Sequence, residues 1–302
     1  MHPAELAILL HRALEVRLAV LQDLLAPADW ASDGEQLHQV RVGARRLGAV
    51  LDLVDAGAYP GHKGRRRALK DLVDLLGLPR ELGVHAAWLE ARRSAAASPA
   101  LAAVLEHLLE DLDRARAKAR RAMDRELDRL RLPDLRKLLE VPSLPSPFQA
   151  TSLQEAAWAC LAPRLDAALG GLGALAARED APALHKARVR IKKLRYAVEA
   201  LEGAFAAPPE GVLGRLKELQ AVLGAHHDLT ALEALLREAG EGLQIRGRAA
   251  LRTGVLDLLG EVAEARGAAF GRFTALAAAQ DPASQAAALR SALGLPPDGE
   301  AR

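Results

Sequence analysis

Two stretches of this chain return further along it at a constant spacing, and this repetition limits the folds that the sequence can adopt. LHQVRVGARRLGAVLDLV begins at Leu37, and LHKARVRIKKLRYAVEAL begins at Leu184. A second pair, LKDLVDLLGLPREL and LKELQAVLGAHHDL, begins at Leu69 and Leu216, so that both pairs are 147 positions apart. One amphipathic helix can resemble another by chance at a single place, but a spacing kept over several segments indicates an internal duplication.

The composition of both halves is typical of helical proteins. Ala, Leu, Arg and Glu are strong helix formers and dominate the chain, whereas aromatic residues make up only 3% of it. Four helices are predicted in each half, near residues 4–26, 34–56, 65–94 and 99–131 in the first and near 152–178, 181–206, 210–239 and 245–279 in the second. The expected fold is therefore all-α, with two packed four-helix bundles related by a pseudo-twofold axis.

Prolines, glycines and capping residues suggest where these units begin and end. The predicted division is a first bundle over residues 1–140, a linker over 141–147, a second bundle over 148–282 and a C-terminal tail over 283–302. Asp33 and Asp180 stand where helix N-caps are expected. Pro79, which follows a Leu-Gly pair, should bend or break the third helix of the first half, whereas the equivalent Leu-Gly pair at 223–224 has no proline after it.

Charge and cysteine content exclude several classes of protein. The chain has 41 basic and 39 acidic residues and a formal net charge of +2, so net charge alone does not indicate an anion binder. Cys160 is the only cysteine, which excludes internal disulfides and cysteine-rich zinc sites. No apolar run reaches the roughly 20 residues of a membrane helix, and the charged N-terminal residues are unlike a signal peptide. We therefore expect a cytoplasmic protein without a membrane segment, and the oligomeric state stays open.

The second helix of each half is predicted to carry a row of basic side chains on one face. At about 100° per residue, these side chains line up beside an apolar stripe that faces the core. The row consists of His38, Arg41 and Arg45 in the first half and of His185, Arg188, Lys192 and Arg195 in the second. Gly48 stands in the first half where the second has Arg195, so we expect the first half to contribute less binding free energy.

These two helices lack the acidic partners of an ordinary solvated helix. Residues 38–51 and 185–198 contain no Asp or Glu. Like charges one helical turn apart destabilise a helix by roughly 0.2–0.5 kcal/mol per pair. Because the repulsion occurs in both halves, an external anion is expected to neutralise it; the alternative is a plain solvated basic face. Arg can bind phosphate oxygens bidentately and Lys adds a compact charge, so a chain of phosphates is the expected ligand.

The two segments resemble the halves of a CHAD domain, the conserved histidine α-helical domain. Each basic segment is followed by a Leu-Gly pair and by an acidic residue four positions after the glycine. The resemblance covers essentially the whole chain. It implies two four-helix bundles that face each other across a basic cavity that binds inorganic polyphosphate. A protein of this kind is expected to associate with polyphosphate granules. By motif position, the resemblance implies binding roles for His38, Arg41, Arg45, Arg46, His185, Arg188, Lys192, Lys193 and Arg195.

Further basic residues extend this candidate site. Arg17 and Arg164 occupy equivalent places on the first helix of each half, because the spacing of 147 positions also aligns them. Additional candidates on the second and third helices are Arg66, Lys70, Lys186, Arg190 and Lys217.

Metal binding and catalysis are weaker interpretations. His226, His227 and Asp228 form a triplet, but adjacent side chains on a helix diverge by about 100° and rarely bind one ion together. His38 and His185 are expected to form local hydrogen bonds and to modulate the basic face rather than to bind a metal. The sequence has no P-loop, nucleophile elbow or carboxylate cluster. We therefore expect no cofactor, no metal and no enzymatic activity.

Nucleic acid is the main alternative ligand, because basic helices also bind its phosphates. Proteins that bind single strands add aromatic stacking platforms, but Tyr196 is the only aromatic residue in the two basic segments. No helix-turn-helix that could read a groove is recognisable. An acidic protein held by a helical scaffold is a further alternative that the sequence leaves open.

Overall fold

The computed structural model describes residues 4–27, 34–54, 61–96, 98–130 and 152–297. All regular elements in these segments are helices, which confirms the all-α fold class. The first half of the sequence contains α1 Ala4–Leu24, α2 Gly34–Leu51, α3 His62–Leu75, α4 Gly77–Ser94 and α5 Pro99–Leu130. The second half contains α6 Leu153–Leu169, α7 Leu172–Ala176, α8 Ala181–Ala200, a 3₁₀ turn at Glu202–Ala204, α9 Glu210–Ile245, α10 Ala249–Ala278 and α11 Pro282–Ala292. Within the described segments, no helix is both long and apolar enough to span a bilayer.

The helix is broken at the Leu-Gly pair that Pro79 follows and continuous at the other pair, as predicted. In the first half the helix ends at Leu75 and α4 begins at Gly77. Proline lacks an amide hydrogen and is tolerated in the first turn of a helix, which is where Pro79 lies. In the second half, Leu223 and Gly224 continue inside α9, because no proline follows them.

The predicted cap of α8 is confirmed. Asp180 accepts a hydrogen bond from the backbone N–H of Ala183 at 3.0 Å, and Pro182 lies in the first turn. The capped start places the first member of the basic row, His185, one turn into the helix. The other predicted cap, Asp33, and the predicted linker over 141–147 lie outside the described residues.

Two segments differ from the sequence prediction. The helix predicted over 152–178 is divided at the glycine pair 170–171, because glycine is a poor helix former. The segment 283–302, predicted as a tail, contains most of helix α11, which Asp281 caps through two backbone amides. Leu289 of this helix is fully buried, so α11 is part of the packed structure.

Two apolar cores hold the helices together, and each contains side chains from both halves of the sequence. The first core joins α1, α2, α3, α6, α7, α8 and α11 with the start of α9, the end of α10 and Met123 of α5. The second joins α4 and α5 with the rest of α9 and the first half of α10. This packing does not establish two separate four-helix bundles, so the division into residues 1–140 and 148–282 stays a prediction.

Helices α2 and α8, which carry the rows of basic side chains, lie side by side in the first core. Their buried apolar side chains include Leu37, Val40, Leu47, Leu184, Ile191 and Leu194. Burial of one such side chain stabilises a fold by roughly 1.5–3 kcal/mol. The apolar stripes therefore hold the two helices together and leave their basic faces next to each other.

Candidate polyanion-binding site

A cavity of about 180 Å³ lies between α2, α3 and α8, and we call it the central cavity. Arg45 of α2 and Lys192 of α8 both line it. Helix α3 contributes Arg66 and Lys70, and Asp52 contributes a carboxylate at the end of α2. Basic side chains from both repeats therefore reach one shared space.

The pKa values of these side chains show how closely the positive charges approach one another. Burial, followed by the charges of Arg45 and Arg188, lowers the pKa of Lys192 from 10.5 to about 7. Burial, followed by the charges of Arg45 and Arg80, lowers the pKa of Arg41 to about 10. Like charges disfavour the protonated state of their neighbours, so these groups repel one another. We call Arg41, Arg45, Arg188 and Lys192 the central cluster.

Acidic side chains compensate this positive charge only in part. The charge of Glu81 opposes the lowering of the pKa of Arg41. Burial raises the pKa of Asp228, an effect that the charge of Arg188 opposes. Glu81 and Asp228 are 147 positions apart, so each half of the chain places one carboxyl group beside one arginine of the central cluster. The charge of Asp74 likewise opposes the lowering of the pKa of Arg45. The four cations of the cluster still outnumber these three carboxyl groups, which leaves an excess of positive charge.

Each Leu-Gly pair places its glycine beside one arginine of the central cluster. A Cβ atom at Gly77 would lie 3.9 Å from Nη2 of Arg41, and a Cβ atom at Gly224 would lie 3.6 Å from Nε of Arg188. The two contacts are equivalent, because both of their members are 147 positions apart. The Nε atoms of both arginines are buried without a hydrogen-bond partner among the described residues. An unpaired buried donor costs about 1–3 kcal/mol, so an oxyanion that accepts these hydrogen bonds would be favoured.

The sequence profile of the CHAD domain matches residues 12–237, which include both basic helices and both Leu-Gly pairs. This chain belongs to the CHAD domain family. The crystal structure of the CHAD domain from the plant Ricinus communis is similar, with 25% sequence identity and a TM-score of 0.61 over 96% of this chain and 91% of that chain. PptA from Streptomyces chartreusis, at 20% identity, has a TM-score of 0.63 over 88% of this chain and 98% of that chain, and this likeness shows a shared fold alone. No curated protein matches the sequence.

Three histidines, His38, His185 and His227, lie beside the central cluster. The rings of His185 and His227 are in contact, with centroids 4.6 Å apart and Nδ1 atoms 3.3 Å apart. Burial, followed by the charge of Arg188, lowers the pKa of His227 to about 4. Burial also lowers the pKa of His38 and of His185, and neighbouring cations add to the effect. At pH 7 these rings are therefore mostly uncharged.

The side chains of the triplet at 226–228 separate, as expected for adjacent residues on a helix. His226 is buried, and its Nε2 atom lies 2.7 Å from Oε1 of Glu179, just before α8. Arg266 of α10 contacts the same carboxylate at 3.1 Å and that of Glu233 at 2.7 Å. This network connects the start of α8 to α9 and α10. Among the described residues, no group of three or more His, Cys, Asp or Glu side chains could hold a metal ion.

A second cavity, of about 370 Å³, adjoins the central cavity at the C-terminal end of α2, and we call it the distal cavity. The two cavities share Asp52, Arg66 and Lys193. Arg164 lines the distal cavity and donates hydrogen bonds to the backbone oxygens of Cys160, at 2.6 Å, and Asp52, at 2.7 Å. Arg66 forms an ion pair with the carboxylate of Asp52. Three candidate cations therefore meet here, and two of them already have partners.

Two other candidate arginines approach a carboxylate of α8. Arg195 is only 9% exposed, donates to Glu199 at 3.0 Å and lies over the ring of Tyr196. Nε of Arg46 approaches the same carboxylate at 3.4 Å. Because Glu199 offsets both charges, these arginines carry less uncompensated charge than the central cluster.

The remaining candidates lie at the edge of the central cavity or away from it. Lys70 lines the cavity and forms an ion pair with Asp74. Arg17 is half-buried on α1. The exposed candidates that do not line the central cavity are Lys186, Arg190 and Lys217.

Two residues beside the central cluster, Arg80 and His227, lie outside the predicted basic rows. Arg80 and His227 are 147 positions apart, and each stands three positions after the glycine of its Leu-Gly pair. Burial lowers the pKa of His38 and of Arg41, and the charge of Arg80 adds to both effects. Burial, followed by the charge of Arg188, lowers the pKa of His227. The two residues differ in type, so only the repeat spacing could have identified them as equivalent.

Proposed function

We propose that this CHAD domain binds inorganic polyphosphate between α2 and α8 without catalysing a reaction, in the cytoplasm and at polyphosphate granules. The observation that supports this proposal most is the convergence of the central cluster, in which cations from two repeats lower one another's pKa beside a single cavity. The CHAD family is linked to polyphosphate binding in general.

A chain of phosphates matches the chemistry of the central cluster. A guanidinium group can donate two parallel hydrogen bonds to phosphate oxygens, and an ammonium group supplies a compact charge. The unpaired Nε atoms of Arg41 and Arg188 offer donors at equivalent places in the two halves. A bound polyanion also screens the repulsion among the cations, so that the pKa of Lys192 rises towards its ordinary value. Relief of this repulsion is a favourable part of the binding free energy.

The repeat supports a second part of the proposal, a pseudo-twofold relation between α2 and α8 around a basic cavity. A ligand made of identical phosphates suits two equivalent sets of donors, one around Arg41 and one around Arg188. The carboxylate that lines the cavity, Asp52, forms an ion pair with Arg66. That pairing supports a role in binding rather than in catalysis.

Polyphosphate is expected to bind with a strong salt dependence. By analogy with nucleic acids, each phosphate contact contributes roughly −0.7 to −0.9 to the slope of log affinity against log salt concentration, so contacts to the four cations of the central cluster predict a slope of about −3 to −4. Calorimetric titration at several salt concentrations measures the slope. RNA and DNA at matched phosphate concentration are the comparison ligands. Tighter binding of either one than of polyphosphate at equal salt would overturn the choice of ligand, and a slope near zero would contradict ionic binding.

Replacement of a histidine is expected to have a small effect at pH 7. His185→Ala and His38→Ala should each weaken polyphosphate binding by about three- to tenfold, because a neutral ring offers a hydrogen bond but no charge, and such a bond contributes about 0.5–1.5 kcal/mol. His107→Ala, on α5, is the matched control and should leave the affinity unchanged. Complete loss of binding in the His38→Ala or the His185→Ala variant would instead favour a metal or a phosphohistidine mechanism.

A further inference from the structure

A third cavity, of about 270 Å³, opens at the N-terminal end of α2, and we call it the N-terminal pocket. Three arginines line it: Arg80 near the start of α4, and Arg116 and Arg120 in the middle of α5. Gly34, the first residue of α2, borders the same pocket. None of these arginines belongs to the central cluster, and the family motif includes neither Arg116 nor Arg120.

Arg80 connects this pocket to the central cluster. Its charge lowers the pKa of Arg41 and of His38, so its guanidinium group lies within electrostatic reach of both. The three cavities also follow one another along α2, because Gly34 borders the N-terminal pocket, Arg45 the central cavity and Ala49 both the central and the distal cavity. At 1.5 Å per residue, the track from Gly34 to Ala49 is about 20 Å long.

Arg116 and Arg120 each form an ion pair with a carboxylate of their own helix. Arg116 contacts Asp113, and Arg120 contacts Asp124, each at 3.0 Å on the same helix. Both carboxylates are exposed, and exposed pairs of this kind contribute little and exchange easily. A bound phosphate can therefore compete with Asp113 and Asp124 for hydrogen bonds from these arginines. The lining of the pocket itself contributes no carboxylate among the described residues.

The arginines that α5 contributes to the N-terminal pocket have no counterparts in the second half of the repeat. The positions 147 residues after Arg116 and Arg120 are Ala263 and Gly267. The second half therefore lacks the two cations that α5 supplies, although the central cluster draws on both halves. A phosphate chain that leaves the central cavity meets further positive charge at the N-terminal end of α2 without an equivalent set on α10.

We propose that the N-terminal pocket is a second phosphate-binding site, in which Arg80, Arg116 and Arg120 bind the part of a long polyphosphate chain that extends beyond the central cavity. This inference rests on the proposed function and adds to it a preference for long chains. Short chains occupy the central cluster alone, whereas long chains gain a second contact at high effective concentration.

The test compares two double variants of α5 that remove the same charge. Arg116→Gln with Arg120→Gln alters the pocket, and Arg114→Gln with Arg121→Gln alters exposed positions of the same helix outside it. The pocket variant should bind long-chain polyphosphate about five- to tenfold more weakly, as expected for two partly exposed charge contacts. Its affinity for tripolyphosphate should change by less than about twofold. The control variant should bind both ligands as the unaltered protein does, within about twofold.

A steric variant tests the same pocket without a change in charge. Gly83 lines the N-terminal pocket inside α4, and a Cβ atom there would meet nothing within 4 Å. Gly83→Leu should fill the space while it favours the helix, since leucine is a much better helix former than glycine. Gly271→Leu, in an equally open position on α10, is the control. Only Gly83→Leu should reduce the affinity for long chains.

The outcomes separate this inference from the function on which it rests. If the unaltered protein binds no polyphosphate of any length, the proposed function fails and the second site fails with it. If the unaltered protein binds but the pocket variants retain full affinity for long chains, the second site alone is wrong. Equal losses for tripolyphosphate and for long chains would also overturn it, because the pocket would then belong to the central site.

Discussion

Polyphosphate binding is expected to fall at least about a hundredfold when Arg188 and Lys192 are both replaced by glutamate. Both residues belong to the central cluster, and a hydrogen bond to a charged group contributes about 1.5–3 kcal/mol. Loss of two such bonds corresponds to more than about a hundredfold, since about 1.4 kcal/mol is tenfold in affinity. The introduced carboxylates also repel phosphate. Calorimetric titration with long-chain polyphosphate at fixed salt measures the change.

The same double variant is expected to keep its fold. The electrostatic neighbours of Lys192 include Arg41, Arg45 and Arg195, so a glutamate at this position meets opposite charges where lysine meets like charges. Both replaced side chains lie beside the apolar stripe of α8 rather than within it. The glutamate at position 188 meets Asp228, which opposes this gain, so the midpoint of thermal unfolding should change little, as circular dichroism can check.

Lys186→Glu combined with Arg190→Glu is the matched control. These two residues lie on the same helix, undergo the same change in charge, are exposed, and do not belong to the central cluster. Their effect on binding should stay below about tenfold, because salt screens exposed charges beyond about 8 Å at physiological ionic strength. Equal losses in the two double variants would show that net charge governs binding and would contradict the proposed site.

The sequence predicted the members of the central cluster, because two independent signals agree there. The helical period separates the apolar stripe from the basic row, and the acid-free runs mark the basic row as unusual. The duplication shows that Arg41 and Arg188 are equivalent. The same spacing also makes Arg80 and His227 equivalent positions. Because one is an arginine and the other a histidine, comparison of residue types does not show this equivalence.

The arrangement of the helices around the two cores could not be predicted in this way. Amphipathic periodicity shows which face of a helix is buried, but it does not show which other helix covers that face. The predicted bundles are separated at the linker. In the structure, α2 and α5 of the first half pack against α8 and α10 of the second half.

The sequence predicts ion pairs within one helix, but not contacts between residues that are far apart in the chain. Arg195 and Glu199 are one helical turn apart, so this pair follows from the sequence once the end of the acid-free run is noticed. The contacts of Arg46 with Glu199 and of Arg164 with the backbone of Asp52 join distant parts of the chain. Only the packed structure shows that these arginines already have partners.

Polyphosphate affinity is also expected to fall as the pH rises above neutrality, because of Lys192. In the free protein, burial and the surrounding arginines hold the pKa of Lys192 at about 7. Below this pH the side chain is already charged before binding, so affinity should change little. Above pH 7 the side chain of Lys192 is mostly neutral in the free protein. Because the polyanion binds its ammonium form, Lys192 must take up a proton on binding, which weakens the affinity.

The expected decrease reaches about tenfold per pH unit between about pH 7 and pH 9, since one proton taken up corresponds to 1.36 kcal/mol per unit. The neighbouring histidines do not contribute in this range, because burial lowers the pKa of His38, His185 and His227. Calorimetry in buffers of different ionisation enthalpy counts the protons, with about one expected near pH 9 in the unaltered protein. Long chains are the suitable ligand, because terminal phosphates, which titrate near neutral pH, form a small share of them.

Lys192→Arg is the control for this pH dependence, because a guanidinium group stays charged over the whole range and should bind with a flat profile. The free energy of unfolding of the free protein should show the opposite trend. Between about pH 7 and 10.5 the unfolded chain binds a proton at Lys192 that the folded chain has lost, so stability rises with pH through this window. Lys192→Met should remove this part of the rise. A flat affinity profile in the unaltered protein, or a slope that persists in Lys192→Arg, would contradict this role of Lys192.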